Sequence, residues 1–346
     1  MLTKIELKLP RPQAAVGSFK HSVLNECVLI NSEWRRVQIG LLVHLCPSLF
    51  LNPTKMSANV ESQEQWDVVI EPDYPLFNLR LREVWNYRDL LWILVFRNFV
   101  AQYKQTLLGP VWFFIQPMLT TLTFMVIFGA IAQIPTGGIP QPLFYLSGVV
   151  IWTYFSDCLV KTSTVFKDNA GVFGKVYFPR LIIPLSIIVS NLIKFALQSV
   201  LFVVVLLYYV YFKGDVFQLH TTSFLFMLPV FLLLMALLGL SLGMIISSLT
   251  TKYRDLAFLV AFGVQLLMYA TPVVYPLDSE RVRNLAGNFL QWNPLAPIFE
   301  GVRKGLFGTG FFEWWYFGYS VAVTVVLMFV AIIVFNKVER NFIDTV

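Results

Sequence analysis

The feature that most constrains this chain is the length of its uncharged stretches. No side chain from Gln105 to Ser156 carries a charge, and only Lys194 does so from Leu181 to Phe212. The chain is 57% hydrophobic and 13% charged, which a soluble domain rarely is. Backbone groups in lipid find no water, so apolar runs of about 20 residues must be helices, whereas transmembrane strands are shorter and alternate in polarity. The sequence therefore predicts an all-α integral membrane protein.

Six transmembrane helices are predicted from the apolar runs and the polar turns between them. Their approximate limits are 109–132, 143–160, 181–212, 223–249, 256–275 and 315–335. The third run is about 48 Å long as a helix, against about 30 Å of hydrocarbon, so we expect its first turns to protrude and Lys194 to reach the headgroups. Gly239, Gly243 and Ser247 in the fourth span favour close approach of another helix, either within the chain or between two copies.

The chain is predicted to have three regions. Residues 1–55 are polar and irregular, and we expect a poorly structured extension upstream of a true start at Met56. A signal peptide is the weaker alternative, because mostly polar residues precede the apolar stretch of this region. Residues 56–106 are expected to form a cytoplasmic segment and an amphipathic helix in the membrane interface, with cationic and aromatic side chains among the headgroups. Residues 107–346 are expected to form the six-span domain.

The distribution of Lys and Arg predicts the orientation. With a cytoplasmic N-terminus, the inner segments hold thirteen of these residues and the outer segments hold five. The positive-inside rule therefore favours six spans with both termini in the cytoplasm. This orientation places the charged segment Lys161–Arg180, which we call the island, inside the cell.

The island combines charges with one apolar stripe. Its apolar residues recur near i, i+7 and i+11, which predicts a short helix with Lys167, Asp168 and Lys175 on the opposite face. Such a helix needs a partner to bury its stripe. Two interpretations stay open at this point, a solvated loop on the headgroups and a docking element for another protein.

The sequence lacks the motifs that several other activities require. There is no GxxxxGK[ST] motif, so an ATP-driven machine must draw its energy from another subunit. Only Asp157 and Lys194 are charged within the predicted spans, which gives little support to proton or sodium coupling. The three cysteines show neither metal-ligand nor disulfide spacing, and no metal site is predicted. The net charge of +6 lies in the connections and does not indicate a nucleic-acid partner.

Aromatic side chains are frequent in the predicted spans. Flat rings stack on sugar faces and also line routes for lipid tails. The alternative is that they face lipid or form the interfacial belts. Our candidates for a substrate pathway are Trp112, Phe113, Tyr145, Trp152, Tyr154, Phe155 and Tyr269.

One long segment, 278–313, is neither apolar enough to span nor polar enough to be a free loop. Residues 285–290 and 298–307 predict two short helices, separated by Asn293-Pro294 and Pro297. We expect them to dip back into the membrane as re-entrant helices. Irregular backbone at that depth is tolerated only against protein or a water-filled cavity, so the segment suggests the mouth of a pathway.

Four stretches, taken together, match the pattern of a known family. They are LLGPVWFFIQP (107–117), KDNAGVFGKVYFPRLIIPLS (167–186), YRDL (253–256) and WNPLAPIFEGVRKGLF (292–307). In this combination they resemble the permease subunit of ABC-type polysaccharide exporters, the class that moves O-antigen, capsule or teichoic acid. The resemblance covers about residues 56–346 in order, and it leaves 1–55 outside.

The resemblance implies roles for two groups of residues. The island would be the cytoplasmic gate and coupling helix that meets a separate ATPase, and the YRDL turn would be a second contact. The residues implied in coupling are Phe166, Lys167, Asp168, Asn169, Val172, Phe173, Lys175, Val176, Tyr177, Arg180, Tyr253, Arg254 and Asp255. The residues implied in the external gate are Asn293, Pro294, Glu300 and Arg303.

The resemblance also implies the assembly and the cargo. A homodimer would enclose one conduit for a lipid-linked polysaccharide and would work with two nucleotide-binding ATPase subunits. ATP and Mg²⁺ would be bound by those partners, so this chain would need no cofactor and perform no covalent chemistry. Three alternatives stay open: an ABC export permease for a small drug or lipid, a membrane enzyme acting on polyprenyl-linked sugars, and a passive channel.

Overall fold

The described part of the chain folds into a bundle of helices. A computed structural model describes residues 81–104, 106–169, 171, 178–212, 223–253, 255–277 and 289–342. Within these ranges the regular elements are all helical, as the apolar runs predict. Several predictions fall outside the described residues, namely those on 1–55, on 56–80, on 278–288 and on Val172, Phe173, Lys175, Val176, Tyr177 and Arg254.

Ten α-helices follow one another in the described ranges. They are α1 (Leu81–Asn86), α2 (Arg88–Tyr103), α3 (Trp112–Phe124), α4 (Gln141–Ser163), α5 (Val165–Asp168), α6 (Ile182–Phe212), α7 (Leu228–Lys252), α8 (Leu256–Tyr269), α9 (Ala296–Phe307) and α10 (Trp314–Phe342). Pro142, Pro229 and Pro297 occupy the first turns of α4, α7 and α9, where a missing N–H is harmless. Gly308 ends α9 with a φ of 72°, which glycine adopts without strain.

Among the described residues, five helical stretches are long and apolar enough to cross a membrane. They are Gly109–Ile131, Gln141–Ser163, Ile182–Phe212, Phe224–Lys252 and Trp314–Val338. The prediction of a multi-span helical membrane protein is therefore confirmed. Helix α8 is also apolar but has 14 residues, or about 21 Å, so the count of six spans stays a prediction.

Helix α4 lies at the centre of the bundle. It packs against α3, α6, α7 and α8, and most of its length is buried. Helix α7 approaches it where glycines leave room, because a Cβ added to Gly243 would lie 2.6 Å from the Cβ of Thr162 and one added to Gly239 would lie 3.0 Å from that of Cys158. The GxxxG pair therefore packs within the chain, which decides between the two alternatives that the sequence left open.

Contacts between helices fix their directions. Helices α4 and α7 run parallel, and the Thr250 hydroxyl near the end of α7 donates to the Ser163 carbonyl at the end of α4 (2.5 Å). Helix α10 runs parallel to them, because Phe335 near its C-terminus stacks on Phe166 of α5, which follows the end of α4, and Phe317 near its N-terminus contacts Phe231 in the first turns of α7. We call the end of the bundle that carries α5 and residues 253–255 the island side, and the opposite end, which carries α9, the far side.

Helix α2 lies along the first half of α6. Leu94 and Val95 are buried between the two helices, and the Ser190 hydroxyl donates to the Val95 carbonyl (3.1 Å). The opposite face exposes aromatic and cationic side chains, among them Arg88, Trp92, Phe96 and Arg97. Such a face suits a bilayer headgroup layer, and the interfacial position of this helix stays a prediction.

Candidate functional site

The island begins with a single helical turn whose apolar residues belong to the core. Val165 and Phe166 are fully buried, and the Phe166 ring stacks on Phe335 with ring centroids 4.8 Å apart. Arg180, at the other end of the island, is buried as well. The burial of Phe166 and Arg180 does not support their predicted contact with a partner protein, because packing inside the chain already covers both side chains.

The polar residues of the same turn are the accessible ones. Lys167 and Asp168 are exposed and Asn169 is half-buried. The turn is closed locally, because the Thr164 hydroxyl donates to the Asp168 carboxylate (2.6 Å). The second predicted contact, after α7, exposes residues 253 and 255. The structure therefore brings Lys167, Asp168, Asn169, Tyr253 and Asp255 to one end of the bundle, as candidates for a coupling surface.

The far side is organised by a buried ion pair on α9. Arg303 Nη1 lies 3.0 Å from Glu300 Oε1, and the two side chains are 3% and 0% exposed. Arg303 also donates to the carbonyl oxygens of Val273 (2.8 Å) and Tyr275 (3.2 Å), and its guanidinium carbon lies 4.0 Å from the Phe144 ring centroid. The spacing of three residues places both charges on one face of the helix.

Glu300 extends the same network to two further segments. Its carboxylate accepts hydrogen bonds from the backbone N–H groups of Leu277 (3.3 Å) and Phe311 (3.2 Å). Burial raises the pKa of Glu300 and lowers the pKa of Arg303, and the charge of each residue opposes the shift of the other. The ion pair thus fastens the segment after α8 and the segment before α10 to α9.

Asn293 and Pro294 complete this framework. The Asn293 amide donates to the Ala270 carbonyl (3.0 Å) and the Thr271 hydroxyl (3.1 Å), while the Pro294 carbonyl accepts from Ser320 of α10 (2.6 Å). The four residues predicted for the external gate therefore lie in one network that joins α8, α9 and α10. Their role in gating stays a prediction.

The aromatic candidates for the pathway separate into buried and exposed residues. Trp112 and Tyr269 are 48% and 46% exposed, on α3 and α8. The other five are at most 6% exposed, namely Phe113, Tyr145, Trp152, Tyr154 and Phe155. A side chain packed inside one chain cannot touch a substrate that moves along its surface. Burial therefore does not support a pathway role for these five residues.

A charged cluster that the sequence did not predict lies between α4 and α6. Asp157 Oδ2 lies 2.8 Å from Lys194 Nζ and 3.4 Å from Lys161 Nζ, and Lys161 also donates to Asn191 Oδ1 (2.9 Å). The carboxylate of Asp157 on the neighbouring helix pairs with Lys194, whose side chain is 10% exposed, and the expectation that Lys194 reaches the headgroups stays a prediction. Two sequence signals pointed to this cluster: the i,i+4 spacing of Asp157 and Lys161, and the fact that Asp157 and Lys194 are the charged residues within the predicted spans.

The described residues define a multi-pass helical membrane protein. Long apolar helices surround α4, a short helix is fixed among them at the far side, and charged residues are exposed at the island side. The chain belongs to the ABC-2 type transporter family, whose family model matches residues 89–307. That match runs from α2 to the end of α9, and it confirms the resemblance to ABC export permeases.

Several relatives align over almost their whole length. An O-antigen export system permease protein from Myxococcus xanthus is 27% identical over 267 residues, which cover 77% of this chain and 98% of that protein. One from Klebsiella pneumoniae is 26% identical over 258 residues, covering 74% and 94%. A polysialic acid transport protein from Escherichia coli is 23% identical over 247 residues, covering 71% and 92%.

Proposed function

We propose that this chain is the permease of an ATP-driven exporter that moves a lipid-linked polysaccharide across the inner membrane. The observation that carries the proposal is the alignment with proteins named for O-antigen export and polysialic acid transport over 92% to 98% of their length. Both cargoes are polysaccharides, which favours the same cargo class here. The lipid anchor is the finer part of the proposal and needs a test of its own.

The energy for export comes from a separate subunit. The sequence contains no GxxxxGK[ST] loop, whose backbone N–H groups and lysine hold nucleotide phosphates. Two ATPase subunits, which bind ATP and Mg²⁺, dock on the island side at Lys167, Asp168, Tyr253 and Asp255. The hydrogen bond from Thr250 to Ser163 links the two stretches of this surface. A displacement of either stretch by the ATPase therefore moves both α4 and α7. The island side then faces the cytoplasm, together with both termini.

Two copies of the chain enclose the conduit. Helices α3 and α8 both pack on α4, and the side chains of Gln116 on α3 and Gln265 on α8 are exposed. An amide facing hydrocarbon is unfavourable, whereas Gln at helix interfaces in membranes forms interhelical hydrogen bonds. These two helices therefore face the second copy across a polar route, and Trp112 and Tyr269 on the same helices are the aromatic residues placed to contact a glycan.

Export is tested by reconstituting the chain in proteoliposomes with its ATPase subunit. We expect a lipid-linked polysaccharide to become accessible to a membrane-impermeant glycosidase only with ATP, and not with an ATPase variant that binds but does not hydrolyse nucleotide. The same glycan without its lipid measures the anchor requirement. Translocation in the absence of ATP contradicts the proposal. Failure to translocate either substrate in the presence of ATP contradicts it as well.

The docking surface is tested by Tyr253→Asp, which places a charge in the proposed interface. We expect this variant to lose co-purification of the ATPase while it remains inserted and monodisperse. Tyr211→Asp is the matched control, because Tyr211 is also exposed but lies near the far end of α6. Equal co-purification of the wild type and both variants would remove the docking assignment.

The dimer is tested by oxidative cross-linking in a background with Cys27, Cys46 and Cys158 replaced by Ser. Gln265→Cys on α8 is expected to give a disulfide-linked dimer in membranes. Val204→Cys, at an exposed position of α6, is the control and should stay monomeric. Cross-linking through Val204 but not through Gln265 would place the interface on another face of the bundle.

A further inference from the structure

The charged cluster between α4 and α6 holds more positive than negative charge. One carboxylate, that of Asp157, pairs with the ammonium groups of both Lys161 and Lys194. Asn191 adds a neutral acceptor at 2.9 Å from Lys161 Nζ. Among the described residues, the ion pairs of these lysines involve no second acid, so the cluster has a net charge of +1. A surplus cation inside a membrane bundle is unfavourable unless an anion joins it.

The two lysines differ in accessibility. The side chain of Lys194 is 10% exposed, whereas that of Lys161 is 36% exposed. Lys161 belongs to a half-exposed polar face of α4 that also includes Thr153 and Asp157 and continues to Thr164 just after the helix, at spacings of four, four and three residues. The opposite face of α4 is packed against α7. The surplus charge can therefore be reached from outside the helix bundle of one chain.

The position of the cluster along α4, and so its depth in the membrane, indicates which anion it binds. Lys161 lies two residues, or about 3 Å, before the end of α4, and Asp157 lies about 9 Å before it. That end of the span is where the hydrocarbon layer gives way to headgroups. Lipid phosphates are the anions concentrated at this depth, and an ammonium group binds them as a point charge.

We propose that Lys161, supported by Lys194, binds the phosphate head of a lipid beside the inner end of α4. Asp157 holds the two ammonium groups in place and limits the positive charge. The shared chemistry is a lipid phosphate, supplied either by a bilayer phospholipid or by the anchor of the cargo. Where the lipid is the cargo's anchor, the inference rests on the proposed function.

The test measures lipid binding to the full-length permease alone, in phosphatidylcholine nanodiscs without ATPase or glycan. One arm titrates radiolabelled farnesyl diphosphate, and the other counts retained phosphatidylglycerol by native mass spectrometry. Lys161→Gln is expected to weaken binding about tenfold, since it removes a charge-assisted contact. Lys161→Arg should restore most of the affinity. Lys252→Gln, the same substitution at an exposed lysine at the end of α7, should leave binding unchanged.

The substitution Asp157→Asn distinguishes a lipid-binding role of the cluster from a purely structural one, because the two roles predict opposite changes in lipid affinity. It raises the charge of the cluster from +1 to +2, so the proposal expects tighter lipid phosphate binding, by about threefold or more. A cluster that only holds α4 to α6 would instead lose binding in both Asp157→Asn and Lys161→Gln. That result, or wild-type binding by Lys161→Gln, overturns the proposal.

The two arms identify the source of the lipid. Selective binding of the diphosphate supports the cargo anchor, and equal binding of phosphatidylglycerol supports a bilayer lipid. Because no export is measured, these outcomes stay independent of the proteoliposome experiment. A failure of export with intact lipid binding therefore contradicts the proposed function alone.

Discussion

Replacing Glu300 by Gln probes the buried ion pair that fastens the far side. The substitution keeps the size of the side chain and removes its charge, so Arg303 remains a cation with no counter-charge. Removing one partner of a buried pair costs about 3–5 kcal/mol. In the variant Arg303 still donates to the carbonyl oxygens of Val273 and Tyr275 and still contacts the Phe144 ring. The expected loss in free energy of unfolding is therefore near the lower end of this range, at about 3 kcal/mol.

The loss is measured on the full chain in nanodiscs by denaturant titration. Hydrogen exchange gives a local readout, because the N–H groups of Leu277 and Phe311 donate to Glu300 and should exchange faster in the variant. Glu313→Gln is the matched control: Glu313 is an exposed acid at the same end of the bundle, and its loss should change stability by less than about 0.5 kcal/mol.

A double-mutant cycle with Arg303→Met decides whether the two charges act together. Because each single substitution leaves an unpaired charge, the double variant should be more stable than the sum of the single effects predicts, by about 1 kcal/mol or more. Additive losses would refute the reasoning. So would a loss below about 1 kcal/mol for Glu300→Gln with unchanged exchange at both amides.

The remaining predictions concern packing at the island side and in the centre of the bundle. Gly243→Ala should lower the free energy of unfolding by about 1–3 kcal/mol, because the added Cβ would overlap Thr162. Gly318→Ala is the control at an open helical site and should be neutral or stabilising. Equal melting temperatures for the two variants would contradict the close approach of α7. Phe166→Ala should lower the free energy of unfolding by about 3–5 kcal/mol, because it leaves a cavity beside Phe335. Lys167→Ala is the control and should leave the denaturation midpoint unchanged. A Phe166→Ala variant as stable as the wild type would show that Phe166 is not a core residue.

Much of the fold follows from local pattern. Of the six spans predicted from the apolar runs, the structure bears out five within a few residues, because hydrocarbon imposes both helicity and a minimum length. Gly239 and Gly243 correctly indicated a close helix contact. The external-gate role expected for Asn293, Pro294, Glu300 and Arg303 stays a prediction, and the sequence did not show that Glu300 and Arg303 pair with each other and with backbone groups of two other segments.

The pathway candidates show where sequence reasoning fails. Trp152, Tyr154 and Phe155 are buried in the bundle, and Tyr269 is exposed, yet all four are aromatic residues of apolar helices. In a soluble protein the polar face of a helix marks the surface. Lipid is as apolar as a protein core, so that contrast is absent here and burial cannot be predicted from periodicity.

The sequence by itself determined the class of this protein, the positions of its long helices and its lack of a nucleotide-binding loop, since each depends on residues that are neighbours in the chain. Only the tertiary structure decided that Phe166 packs on Phe335, that Asp157 pairs with Lys194 and that α9 is fastened from both sides. Those contacts join residues far apart in sequence, and nothing in the local pattern distinguishes an apolar side chain that faces lipid from one that faces another helix.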